Sequence, residues 1–127
     1  MKHKILIVDD DMFLLDMYAL KFKESDFEVE ISKSGGEALE KLENKNFTPE
    51  VILLDVLMPV MDGFEFLKTL KEKNIAQDSK VIVLSNLGQK EEIDKGISLG
   101  AKDYIIKAHH TPSEVVEKVK QVLATSD

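Results

Sequence analysis

A chain of 127 residues, with 43% hydrophobic and 32% charged residues, has the size and balance of one globular domain, and no segment approaches the roughly 20 apolar residues of a membrane span. The absence of cysteine excludes disulfides, thiolate zinc sites and a cysteine nucleophile. A net charge of -7, from 24 acidic against 17 basic residues, argues against direct binding to nucleic acid and for a protein partner.

Met1-Lys2-His3-Lys4 leads into a first strand, Lys4 to Val8, whose apolar run is too short for a signal segment and stops at Asp9-Asp10-Asp11, so a cytoplasmic location is expected. Met12, Leu15, Ala19 and Phe22 then share one face of a first helix. A second strand, Glu28 to Ile31, is followed by a helix with Ala38, Leu39 and Leu42 on its buried face. The third strand, Val51 to Leu54, runs into Asp55, then Pro59 and an Asp62-Gly63 turn, before a helix carrying Phe64, Leu67 and Leu70. The fourth strand, Lys80 to Leu84, ends at Ser85. The helix after it, from about Gln89 to Leu99, has only Ile93 and Ile97 as a stripe and glycines at 88, 96 and 100, which makes it the expected weakest helix. Asp103 to Ile106 is the fifth strand, and Lys107 follows it. Thr111 as cap, Pro112 in the first turn and Glu114 in a capping box open the last helix, whose stripe is Val115, Val116, Val119, Val122 and Leu123. Only Ala124-Thr125-Ser126-Asp127 remains, so either a stand-alone regulator or a piece of a longer protein is expected.

Strict alternation of five strands and five helices over residues 1–127 implies a single α/β domain, a doubly wound parallel sheet whose working loops lie at the carboxyl ends of its strands. The residues there are Asp9, Asp10, Asp55, Ser85 and Lys107. Three carboxylates brought that close disfavour one another's ionisation unless a cation joins them, and a hard oxygen-seeking ion such as Mg²⁺ fits. With an ammonium and a hydroxyl beside them, they form a site for a phosphoryl group, in which Asp55 is the natural nucleophile.

ILIVDDD, VILLDVLMPVMDG, VIVLSN and LGAKDYIIK, in this order and spacing, resemble the receiver domain of bacterial response regulators over essentially the whole chain. The resemblance implies a flavodoxin-like sheet of strand order 2-1-3-4-5. It also implies a phosphoacceptor at Asp55, and Mg²⁺ (or Mn²⁺) held by Asp9, Asp10, Asp55 and the Leu57 carbonyl. Ser85 and Lys107 contact the phosphoryl group in such domains, Ser85 and Tyr104 act as switch residues, and Pro59 with Asp62-Gly63 closes the loop. The phosphoryl donor would be a sensor histidine kinase or a phosphotransfer protein. The output would be a protein target docked on the fourth helix, fifth strand and fifth helix, by a monomer or a phosphorylation-dependent dimer. Such a chain is not an enzyme on other substrates and catalyses only its own Mg²⁺-dependent phosphorylation and dephosphorylation.

Plainer readings stand beside these. An aspartate ahead of Met12 caps a helix, and Asp11 suits that role. Tyr104 packs as a half-buried strand residue. His109 and His110 lack a third ligand, and Met58 and Met61 lie where they narrow access to Asp55. The functional alternatives are a phosphorylation-independent docking module and an aspartyl-phosphate phosphatase, although Leu57 stands where such a phosphatase needs a second aspartate. A flavodoxin-like binding module needs a phosphate loop where Asp9-Asp10-Asp11 repel phosphate. Two departures from the receiver pattern matter. Ala108 replaces the proline that usually makes a cis bond after the lysine, so either a non-proline cis bond costing about 2.5 to 4 kcal/mol is kept, or the loop is trans and Lys107 is aimed differently. Leu57 and Leu87 flank the site without an acid or amide to orient water, which predicts slow self-dephosphorylation.

Overall fold

The structure, a computed structural model, describes residues 2–45 and 47–125. Met1, and Ser126 and Asp127 of the C-terminal stretch, lie outside the described residues. The elements run β1 (His3–Val8), α1 (Met12–Glu24), β2 (Phe27–Ser32), α2 (Gly35–Glu43), β3 (Val51–Leu54), α3 (Gly63–Glu72), β4 (Lys80–Ser85), α4 (Lys90–Ser98), β5 (Asp103–Ile106) and α5 (Pro112–Ala124), with a single turn of 3-10 helix at Lys107–His109. The five strands pair in parallel in the order β2-β1-β3-β4-β5, the order the resemblance implies. No helix among the described residues is long and apolar enough to cross a membrane.

The unbroken Ile, Leu and Val runs of β1, β3 and β4 follow from burial on both faces of the sheet. One face packs Leu6, Ile52, Leu54 and Val83 against α2 and α3 through Leu39, Leu42, Phe66 and Leu70. The other packs Ile5, Ile7, Leu53 and Ile82 against α1 and α5 through Leu15, Phe22, Val115 and Val119. Phe22 meets Phe27 edge to face at a centroid distance of 4.9 Å, which locks the α1–β2 corner.

The capping signals act as read. Asp11 Oδ1 accepts the Leu14 amide at 3.2 Å, and Thr111 with Glu114 forms a reciprocal box at the head of α5. Burial refines several face assignments, and corrects those of Met12 and Ile97. In α3 the fully buried ring is Phe66, while Phe64 is half-buried beneath the Lys95 ammonium, 4.6 Å from its centroid. Phe64, at the start of the helix, still packs against the same core cluster as Leu67 and Leu70. Truncating Phe66 to alanine would cost about 3 to 5 kcal/mol, the usual range for a buried ring. Met12 is largely exposed in α1, and Tyr18 is buried instead. Ile97 of α4 is exposed and Ile93 half-buried, leaving Gly96 as the helix's one buried residue, so the stripe is thinner still than expected. In α5 Val122 and Leu123 are half-buried and pack against the core beside Val115, Val116 and Val119.

Candidate functional site

Parallel registry sets Val8 beside Leu54, Leu54 beside Val83, and Ser85 beside Ile106, so the residues that leave these strands converge at one edge of the sheet. Asp9, Asp55 and Ser85 are buried, whereas Asp10 is exposed at the rim. The backbone of the two buried aspartates is tied to neighbouring strands: Asp9 N–H donates to Ser32 O at 3.1 Å and Asp55 N–H to Val8 O at 2.9 Å.

The two buried carboxylates are held alike. Asp9 Oδ1 accepts the Asp11 amide at 2.9 Å, and Asp55 Oδ1 accepts the Leu57 amide at 3.2 Å. Each therefore turns its second oxygen to the same point, where Lys107 Nζ stands 2.8 Å from Asp9 Oδ2 and 3.4 Å from Asp55 Oδ2. Asp10 completes a group in which one oxygen from each of three aspartates lies within 4.8 Å of the others, a donor set suited to a hard divalent ion.

Burial raises the pKa of Asp55, and the nearby Asp9 charge adds to the rise, against the opposing pull of Lys107, the Leu57 amide and the Ser85 hydroxyl. For Lys107, burial works to lower the pKa, but the hydrogen bond to Asp9 and the charge of Asp55 outweigh it, so the ammonium is held above its ordinary value. With two acids facing one buried cation, the pocket carries excess negative charge that a further cation would relieve.

No cis peptide occurs among the described residues, so the bond between Lys107 and Ala108 is trans. The expected consequence, a lysine aimed elsewhere, is corrected: its ammonium reaches both aspartates from the 3-10 turn at Lys107–His109. Ala108 N–H, which a proline would lack, donates to Asn86 Oδ1 at 2.9 Å.

Ser85 Oγ accepts the Leu87 amide at 3.3 Å. Tyr104, half-buried at the β5 edge, donates its hydroxyl to Leu87 O at 2.5 Å, and its ring lies against Gly96, where an added Cβ would come within 3.1 Å of it. Burial, then the charges of Glu92 and Asp55, push its phenol up to about 12. Leu57 is 55% exposed, Leu87 half-buried and Met58 buried, while His109 and His110 take no part in the aspartate group. The loop after Asp55 closes through Gly63 N–H to Val56 O at 3.0 Å, and a Cβ on Gly63 would lie 2.6 Å from Asp55 O. Sequence reasoning missed Asn86 and Tyr18. Burial raises the pKa of the Tyr18 phenol, with the Lys107 charge opposing and the Asp9 charge adding to the rise, and a tyrosine on the buried stripe of α1 was the only available signal.

The profile of the Response regulator receiver domain matches residues 5–120. The chemotaxis protein CheY of Listeria monocytogenes is 41% identical over 105 residues, covering 82% of this chain and 85% of that protein. The alkaline phosphatase synthesis transcriptional regulatory protein PhoP of Bacillus subtilis is 35% identical over 129 residues, covering all of this chain, which spans 51% of that relative's length. Among solved structures, a CheY-like receiver domain protein from Methanospirillum hungatei superposes with a TM-score of 0.86 at 32% identity, over 97% of this chain and 94% of that one. The CheX-CheY-BeF3-Mg complex of Borrelia burgdorferi gives 0.87 at 28% identity, over 97% and 90%.

Proposed function

Because the chain belongs to the response regulator receiver domain family of two-component signalling, we propose that it is a receiver unit which takes a phosphoryl group from a phosphohistidine onto Asp55. The observation that carries this reading is the convergence of Asp9 Oδ2 and Asp55 Oδ2 on the single ammonium of Lys107. Relatives named for chemotaxis and for transcriptional regulation are 41% and 35% identical to the chain, and in this reading the phosphoryl donor is a sensor histidine kinase or phosphotransfer protein.

Asp55 Oδ1 is occupied by the Leu57 amide, which leaves Oδ2 to attack phosphorus. An O–P bond forms as the P–N bond of the phosphohistidine breaks, and its electron pair returns to the imidazole. Lys107 neutralises charge on the phosphoryl oxygens, and the Ser85 hydroxyl turns from its local partner to donate to one of them. Mg²⁺ or Mn²⁺ held by Asp9, Asp10, Asp55 and the Leu57 carbonyl would offset the carboxylate charge and polarise the phosphoryl group.

The product carries about 1.5 to 2 negative charges on the phosphoryl group in place of the single charge of the Asp55 carboxylate. Ser85 moves toward them, and Leu87, two residues on, carries the carbonyl that holds Tyr104, so the α4–β5–α5 face answers the change. That α4 buries only Gly96 gives it the low local stability such a switch needs. The partner is a cytoplasmic protein that recognises the altered face.

Phosphoramidate, whose P–N bond stands for that of phosphohistidine, tests the transfer. The reading predicts a Mg²⁺-dependent label on the chain that hydroxylamine releases, as it does an acyl phosphate. A label resistant to hydroxylamine, or none, contradicts it.

A further inference from the structure

Ser85 and Lys107, the two side chains assigned to the phosphoryl oxygens, leave adjacent strands and have no direct bond to each other among those described. Their next residues do. Asn86 Oδ1 accepts the Ala108 N–H at 2.9 Å, so the path Ser85–Asn86···Ala108–Lys107 joins the two groups by a single hydrogen bond. Asn86 and Ala108 are both exposed, whereas the Lys107 side chain is 11% exposed. An exposed amide can be satisfied by water, so this bond is not needed to spare a buried donor, and what it changes is geometry. Within the turn His110 N–H donates to Lys107 O over a long 3.4 Å, and among the described residues the bond to Ala108 is the one side-chain link from another loop that holds the backbone beside Lys107.

We infer that Asn86 is a positioning residue, which holds the Ala108 amide so that Lys107 keeps its reach to Asp55 and moves in step with Ser85. This rests on the receiver reading of the site. An asparagine at this position supplies a carbonyl acceptor on a short side chain, and a non-proline residue at 108 supplies the donor; neither alone makes the link. A displacement of the β4 end toward a phosphoryl group is thereby passed to the β5–α5 turn without any rearrangement of the sheet.

The test is a double-mutant cycle on the full chain, read as the saturation of Asp55 phosphorylation by acetyl phosphate with Mg²⁺ and as affinity for beryllofluoride. Asn86→Ala should lower the maximal rate and the beryllofluoride affinity by about two- to tenfold, the range of one net hydrogen bond, with an unchanged melting temperature. In a Lys107→Ala background the same substitution should have no further effect on beryllofluoride affinity, because its route of action is gone. Ala108→Pro removes the donor and provides a second background with the same expectation, so a folding failure in one leaves the other. An Asn86→Ala effect of equal size in all backgrounds, or none in the wild-type chain, overturns the inference. Wild-type chain that takes no phosphoryl group defeats the receiver reading instead, which separates the two failures.

Discussion

Lys107 Nζ lies closer to Asp9 Oδ2, at 2.8 Å, than to Asp55 Oδ2, at 3.4 Å. The ammonium thus competes with any divalent ion for Asp9. Removing it exposes two buried acids to each other, so Lys107→Ala should raise Mg²⁺ affinity roughly tenfold, equivalent to ~1.4 kcal/mol. The same variant without Mg²⁺ should lose about 1 to 3 kcal/mol of stability through unpaired charge. Calorimetric Mg²⁺ titration and urea unfolding with and without the ion check both signs, and an unchanged or weaker Mg²⁺ affinity would count against the competition.

The phosphoryl group on Asp55 should be long-lived. Leu57 and Leu87 provide no group able to orient or deprotonate water, and general-base help is typically worth about 10² to 10⁴ in rate. Purified phosphoprotein should decay over minutes or longer, and Leu57→Gln should shorten that lifetime. Decay within seconds for the wild-type chain would refute this.

Gly63 is where the backbone itself leaves no room. A Cβ there meets Asp55 O and Val56 Cα, both at 2.6 Å, and backbone cannot step aside as a side-chain end can. Gly63→Ala should cost about 1 to 3 kcal/mol in chemical denaturation and slow Asp55 phosphorylation, because relief requires the Asp55 backbone to shift. Wild-type stability in this variant would contradict the packing described.

Both tyrosines should resist ionisation. Burial raises Tyr18, and Tyr104 is pushed to about 12 from 10.0. Between those two pH values the unfolded chain releases a phenolic proton that folded Tyr104 retains, so folding binds more protons and stability falls as pH rises through the window. Spectrophotometric titration should show no tyrosinate step near the ordinary value while the fold persists, and Tyr104→Phe should flatten part of the stability slope.

Much of this was legible in the sequence because its signals are local. The apolar runs of β1, β3 and β4, the acidic and basic residues just beyond the strands, and the Thr111–Glu114 box each depend on neighbours a few residues apart. Residues at strand ends in a parallel sheet meet by topology, which is why Asp9, Asp55, Ser85 and Lys107 could be placed together before any distance was known. Phe66 was not legible as the fully buried ring of α3, since Phe64 packs on the same core and how deep each ring sits depends on where α3 begins. The aim of Lys107 was not legible either. It depends on a contact between two loops, Asn86 to Ala108, that no local pattern announces.

The most direct test is incubation with acetyl phosphate and Mg²⁺ followed by intact mass measurement of the wild-type chain and Asp55→Asn. The account predicts one added phosphoryl mass on the wild type, lost when Mg²⁺ is chelated beforehand, and none on Asp55→Asn. No added mass on the wild type, or equal labelling of both chains, would contradict it.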